Sequence, residues 1–83
     1  MALRGKTIHT ADQKVLCGLL IAARKRAGLS QVKLAERLKR HQSFVAKYEI
    51  GERRVDVIEF LSIMRALRTD PVKFLRMLVK ELG

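Results

Sequence analysis

The sequence has few of the residue types that build covalently linked or metal-bound sites. It contains one cysteine, one proline, two histidines and no tryptophan in 83 residues. A single cysteine excludes an internal disulfide, and so few thiols and imidazoles make a metal site unexpected. Cys17 stands in an apolar helical run, which predicts a small buried hydrophobic residue. No cofactor is expected.

Aromatic residues and long apolar runs are also scarce. One tyrosine and three phenylalanines give no aromatic platform on which RNA bases could stack, so RNA is a less favoured ligand. The longest apolar run, residues 15–23, has nine residues, whereas a membrane-spanning helix needs about twenty. No signal-peptide pattern is visible. These features predict a soluble, cytoplasmic protein with no membrane partner.

Acidic residues are few relative to basic ones. Eight Asp and Glu stand against 18 Lys and Arg, a net charge of +10. Residues 24–54 hold ten basic and three acidic residues, a net +7 in less than half of the chain. A solubilising surface would interleave the two signs more evenly. The clustering predicts a polyanionic partner, with nucleic acid ahead of an anionic membrane surface.

The length of the chain limits the classes of function that it can have. A chain of 83 residues that is 48% hydrophobic makes one folded domain and is too short for a large enzyme core with a deep cleft. The sequence shows no paired carboxylates, no nucleophile with a base and no phosphate-binding glycine loop. We therefore do not expect an enzyme.

Capping patterns predict an all-α, compact five-helix domain over residues 10–83, preceded by a flexible basic arm at residues 1–9. Helices are predicted to begin after Thr10, Ser30, His41, Asp56 and Asp70. The second, third and fifth are predicted at Gln31–Leu38, 42–50 and Pro71–Leu82, and glycines 28 and 51 end the first and third. The fourth is predicted to turn inward Ile58, Leu61, Ile63, Met64 and Leu67.

The string LSQVKLAERLKRHQSFVAKYEIGERR, residues 29–54, carries the most specific pattern. It combines Leu-Ser-Gln before a short helix, a Leu34-Ala35 packing pair, Gln-Ser-Phe-Val opening the next helix, and Tyr-Glu-x-Gly before two arginines. This string resembles the helix-turn-helix of the phage repressor and Cro family, also called the XRE-like family. The resemblance extends into the first and fourth helices. It implies a lambda-repressor-like fold and binding to double-stranded DNA.

The third helix supplies the predicted base-reading residues. If Val45 and Tyr48 point inward, Gln42, Ser43 and Lys47 lie on the outward side. A glutamine can pair bidentately with adenine, lysine donates to guanine acceptors, and serine serves several bases. The resemblance places the base-reading positions at the same three residues. Their alternative interpretation is an ordinary solvated polar surface.

A second group is predicted to contact the DNA backbone. The resemblance puts phosphate contacts at the start of the second helix, around the turn and after the third helix, at Gln31, Lys39, Arg40, Phe44, Arg53 and Arg54. For Phe44, burial against the second helix is an equal alternative. Lys39 stands where the motif often has glycine, and it is expected to adopt the left-handed conformation at a cost of about 1 kcal/mol.

Arg24 and Glu49 are predicted to form a structural ion pair. An unpaired carboxylate beside the DNA-facing helix would repel phosphate. The family pairs this acid with an arginine near the end of the first helix, and Arg24 matches that position. The pair would join the first and third helices.

The fifth helix is more apolar than a one-sided helix requires, which predicts a two-fold dimer contact. The residues assigned to that interface are Phe74, Leu75, Leu78 and Leu82. A dimer would place two third helices about one DNA turn apart on a pseudo-palindromic operator. The alternative is that this helix only covers the first and fourth helices.

The function favoured by these patterns is a small, sequence-specific transcriptional regulator, with repression favoured over activation. Two alternatives stay open. One is an antitoxin that binds a protein partner and its own operator; the other is a controller protein of a restriction-modification system.

Overall fold

A computed structural model describes residues 10–83 as five α-helices joined by short turns, and this part of the chain contains no β-strand. The predicted all-α fold is confirmed. The predicted arm, residues 1–9, lies outside the described residues. No helix among residues 10–83 is both long enough and apolar enough to cross a bilayer. The helices are α1 at Ala11–Arg26, α2 at Gln31–Leu38, α3 at Gln42–Glu49, α4 at Val57–Ala66 and α5 at Pro71–Leu82.

Side-chain caps begin every helix. Thr10 accepts a hydrogen bond from the Gln13 amide, and Ser30 accepts one from the amide of Lys33. Because the first amides of a helix have no partner within the helix, each such bond stabilises it by about 1 kcal/mol. Asp56 and Glu59 form a reciprocal capping box at α4, and Asp70 caps α5.

The connection between α2 and α3 uses a left-handed residue, as the sequence predicts. Lys39 has φ 56° and ψ 42°. This reversal lets the Lys39 amide donate to the Glu36 carbonyl at 3.1 Å, and the Arg40 amide to the Ala35 carbonyl at 3.0 Å. The two bonds pair carbonyls that the end of a helix would otherwise leave unpaired. They therefore hold α3 at a fixed angle to α2.

The core lies where α1, α2, α3 and α4 meet. Leu34, Val45 and Ile63 have no exposed surface, and Ala35 is buried in the same cluster. A residue larger than alanine there would overpack the core. Cys17 is buried, as predicted, and its thiol donates to the Tyr48 carbonyl at 3.2 Å. The helix-turn-helix therefore rests on α1 and α4.

The inward face of α4 differs from the predicted one. Ile63, Met64 and Leu67 are buried as expected, but Ile58 is 72% exposed and Leu61 is also exposed. Phe60 occupies the inward position in their place. Ile58 lies two residues before Phe60, which is about 200° around the helix. Apolar character alone did not distinguish the two directions.

Phe74 corrects the predicted dimer interface. Its side chain is 2% exposed, and its ring centroid lies 5.4 Å from that of Phe60. Phe74 therefore attaches α5 to α4 within one molecule and is not available to a second copy. The large aromatic ring stabilises the domain by filling the space between α4 and α5.

Replacing Phe74 tests this assignment. Phe74→Ala should lower the free energy of unfolding by about 3–5 kcal/mol, because it removes a buried ring and leaves a cavity. The measurement is urea unfolding at a protein concentration low enough to keep the chain monomeric. Val79→Ala, on the exposed side of α5, is the matched control and should change stability by about 0.5 kcal/mol or less. Equal losses in the two variants would contradict the assignment.

Candidate nucleic-acid interface

The residues that α3 buries in the core determine which of its residues face solvent. Val45 and Tyr48 are buried in the core, which turns Gln42 and Lys47 outward into solvent. Ser43 lies half-buried beside them, with its Oγ 3.2 Å from Nδ1 of His41. The three side chains predicted to read bases therefore share the exposed side of one helix. That helix is only eight residues long, and both of its ends are fixed by turns.

The predicted ion pair between Arg24 and Glu49 is present. Arg24 Nε lies 2.7 Å from Glu49 Oε2, and Arg24 Nη2 donates to Glu49 Oε1 at 3.1 Å. Arg24 Nη1 also donates to the Leu29 carbonyl at 2.9 Å. The hydrogen bond to Glu49 raises the pKa of Arg24 against the opposing effect of burial. The forked geometry joins α1, α3 and the start of the turn into α2.

Gln31 occupies a position that the sequence did not predict. Its Nε2 donates to Glu49 Oε1 at 2.9 Å, and its Oε1 accepts a hydrogen bond from Gln42 Nε2 at 2.7 Å. The side chain that was assigned to a phosphate thus lies between the buried carboxylate and a predicted base reader. The sequence predicts a separate role for each of these three residues. It does not predict their contacts, because these depend on how α2 crosses α3.

A second cluster surrounds Phe44. Phe44 is 7% exposed, so the prediction of a phosphate contact through this side chain is wrong, and the alternative of burial holds. The guanidinium carbons of Arg40 and Arg53 lie 4.0 and 4.8 Å from the centroid of its ring. Such cation–π contacts orient the flat guanidinium groups. Phe44 therefore supports two of the predicted phosphate-binding cations.

Glu59 holds the same two arginines from α4. Arg53 donates to both carboxylate oxygens at 2.9 and 2.7 Å, and Arg40 Nη1 lies 3.5 Å from Oε2. The Asp56 amide donates to Glu59 Oε1 at 3.0 Å. The sequence predicts no contact between Glu59 and these arginines. The hydrogen bond from Arg53, with further bonds from Asp56 and Arg40, lowers the pKa of Glu59 to about 2.

The remaining predicted backbone contacts lie at the edges of these two clusters. Lys39 is exposed at the left-handed turn, and Arg54 is exposed in the loop before α4, where its carbonyl accepts a hydrogen bond from Arg53 Nη1 at 2.8 Å. Together with Arg40 and Arg53 they form one positively charged edge beside α3. This arrangement matches a surface that contacts the phosphate backbone next to the bases.

The exposed side of α5 forms a separate surface, here called the α5 seam. Leu75 and Leu82 are exposed as predicted, while Leu78 is half-buried. Val72 and Val79 are exposed and join them. The four exposed residues, Val72, Leu75, Val79 and Leu82, follow a three-four-three spacing, which is typical of one helix packing along another.

Comparison with known proteins shows which family this sequence and fold resemble. The sequence model of a helix-turn-helix domain family matches residues 16–77. An XRE-family-like protein from Pseudomonas syringae pv. tomato str. DC3000 is similar with a TM-score of 0.83 and 47% identity, over 92% of this chain and 93% of that one. No curated protein matches the chain.

Two restriction-modification controller proteins are also similar. C.AhdI from Aeromonas hydrophila has a TM-score of 0.72 and 31% identity, over 78% of this chain and 98% of its own. The C.Esp1396I tetramer, whose structure includes its natural 35 base-pair operator, has a TM-score of 0.79 and 22% identity, over 88% of this chain and 96% of its own. The latter likeness concerns the fold alone.

The lowered pKa of Glu59 predicts a specific acid sensitivity. The ordinary value is 4.5 and the folded value is about 2, so the arginine contacts stabilise the fold above pH 4.5. That stabilisation is lost as the pH falls from 4.5 toward 2, because the unfolded chain binds the proton first. Urea unfolding at pH 5.5 and pH 3 should show a smaller acid loss in Glu59→Gln than in the wild type. Glu52→Gln removes the same charge from the neighbouring loop and serves as the control. An unchanged acid loss in Glu59→Gln would contradict the geometry.

Proposed function

Because the chain belongs to the XRE-like family of helix-turn-helix proteins, we propose that it is a sequence-specific transcriptional regulator, with repression as its favoured action. It binds double-stranded DNA by placing α3 in the major groove, and it acts as a regulator without enzymatic activity. The observation that carries the proposal is that α3 exposes Gln42 and Lys47, with Ser43 half-buried beside them, next to an edge where Arg40 and Arg53 lie over Phe44. A DNA target also assigns the protein to the cytoplasm.

Gln42 is the main base-reading residue in this proposal. One hydrogen of its Nε2 is donated to Gln31, which leaves the second hydrogen and Oε1 for the DNA. That pair complements the N7 acceptor and the N6 amino group of adenine. Lys47 lies about one turn further along α3 and donates to guanine acceptors, while Ser43 contacts the neighbouring base.

Phosphate binding falls to the cations around Phe44. Arg40 and Arg53 are oriented by the ring and by Glu59 before DNA arrives, so less side-chain entropy is lost on binding. Lys39 and Arg54 extend this positive edge. Gln31 contributes through its backbone amide at the start of α2, where unpaired N–H groups attract phosphate.

Two substitutions distinguish base recognition from phosphate binding. Gln42→Ala should reduce the preference for the cognate site over a mutated site, since the amide that distinguishes the base is removed. Arg40→Ala should weaken cognate and mutated sites by the same factor, because it contacts only the backbone. Fluorescence anisotropy with both DNA duplexes at several salt concentrations measures this.

The dependence of DNA affinity on salt concentration tests whether the protein binds DNA at all. Affinity of a dimer that neutralises about 6–10 phosphates should fall by about 10³–10⁵ between 50 and 200 mM salt. Arg40→Ala should make this fall less steep, and Gln42→Ala should leave it unchanged. A response to salt that is flat in the wild type would contradict DNA binding altogether.

We also propose a homodimer through the α5 seam. Valine at the first position and leucine at the fourth, repeated once, is a pattern that favours two-stranded helix packing. Four apolar side chains exposed in one line are unfavourable in water unless a partner covers them. Two copies joined in this way would present two α3 helices to a pseudo-palindromic operator.

A charge in the seam tests the dimer. Val79→Glu should convert the protein to a monomer in sedimentation equilibrium at tens of micromolar, because pairing would bury an unpaired carboxylate. Val57→Glu introduces the same charge at an exposed valine of α4 and should remain dimeric. A wild-type protein that sediments as a monomer with operator DNA present would rule the dimer out.

A restriction-modification controller is the second candidate, supported by 31% identity to C.AhdI over 98% of that chain. The assignment predicts that this chain binds DNA upstream of genes for a restriction endonuclease and a methyltransferase. Selection of bound sites from a random DNA library identifies the operator and its half-site spacing. Co-purification with an unrelated toxic protein would favour the antitoxin alternative instead.

A further inference from the structure

We propose that Glu49, which lies too deep to touch DNA, determines which bases Gln42 accepts. It does so by fixing the orientation of two carboxamide groups in series. The inference rests on the proposed role of Gln42 in reading a base. It makes Glu49 a positioning residue for specificity, in addition to its part in joining α1 and α3.

The carboxylate of Glu49 fixes the orientation of the Gln31 side-chain amide. Glu49 is 5% exposed, and both of its oxygens are occupied by donors. An ionised carboxylate can only accept hydrogen bonds. Gln31 must therefore turn its Nε2 toward Glu49 Oε1, where the distance is 2.9 Å, and this turns its own Oε1 the other way.

The oriented amide of Gln31 in turn fixes the orientation of the Gln42 amide at the surface. Gln31 Oε1 is an acceptor, so the amide of Gln42 must approach it with Nε2, and the two atoms lie 2.7 Å apart. An exposed glutamine without this contact has two orientations of similar energy. The chain of bonds selects one of them. The Nε2 of Gln42 lies on the side of Gln31, and Oε1 points away from it.

The orientation of the Gln42 amide determines which bases it can pair with. An outward Oε1 accepts from an exocyclic amino group, such as N6 of adenine, while the remaining Nε2 hydrogen reaches N7. Guanine presents O6 at the same place, and two acceptors repel each other. The reversed amide would favour the carbonyl oxygens of guanine and thymine. Fixing the orientation therefore favours adenine over guanine.

The decisive variant is Glu49→Gln, which replaces an acceptor-only group with one that can also donate. The reference position is the operator base whose preference is lost in Gln42→Ala. At this position the wild type should prefer adenine to guanine by about tenfold. Glu49→Gln should reduce that ratio to about twofold or less, while its affinity for non-specific DNA stays within about twofold of the wild type.

Two further variants separate positioning from stability. Arg24→Gln breaks the ion pair but leaves the acceptor-only carboxylate, so it should lower the melting temperature and keep the adenine preference. Gln31→Met interrupts the relay and leaves the ion pair in place, so it should lose the preference and lower the melting temperature much less than Arg24→Gln does. Gln31→Met thus decides the matter even where Glu49→Gln folds poorly.

The outcomes distinguish this inference from the proposed function. A wild type that shows no base preference refutes the reading role of Gln42 itself. A selective wild type whose preference survives in both Glu49→Gln and Gln31→Met overturns only the role of Glu49. Loss of the preference in Arg24→Gln to the same degree as in Glu49→Gln would also overturn it, because a purely structural ion pair would then suffice.

Discussion

The buried carboxylate of Glu49 is the constraint on which the DNA-facing surface depends. Removing such a charge from water costs several kcal/mol, and the fold compensates with the forked contact from Arg24 and the amide of Gln31. Those partners come from α1 and from the start of α2. One charge at the end of α3 therefore fixes the position of the helix relative to its two neighbours and the direction of the polar groups that lead to Gln42.

Glu59 has a parallel role on the other side of α3. In a chain with eight acidic and 18 basic residues, an acid beside the proposed DNA surface would be expected to weaken binding. Its contacts with Arg40 and Arg53 show a different use, because guanidinium groups held by a carboxylate and by Phe44 stay in one place. The two acids thus organise the cations and amides around them, at the cost of part of the net positive charge.

Local signals explain which features the sequence predicted well. Caps such as Ser30, the left-handed Lys39 and the bounds of α2 depend on residues within a few positions of one another. The placement of Phe44 and Phe74 depends on which neighbouring helix lies above each ring, and spacing along one helix does not contain that information. The relay through Gln31 was missed for the same reason, since it requires knowing how α2 crosses α3.

The fifth helix shows why an apolar pattern can be interpreted in two ways. Phe74 is buried four residues before the half-buried Leu78, while Val72, Leu75 and Val79 are exposed, so buried and exposed apolar positions both recur at three- or four-residue intervals. A helix with two apolar faces can close the domain with one and offer the second to a partner, as we propose for α5. The same twelve residues would serve both contacts, because α5 packs against α1 within the domain and carries the seam on its exposed side. Association through the seam would then stabilise the folded chain by mass action, so that protein concentration would govern both stability and operator binding.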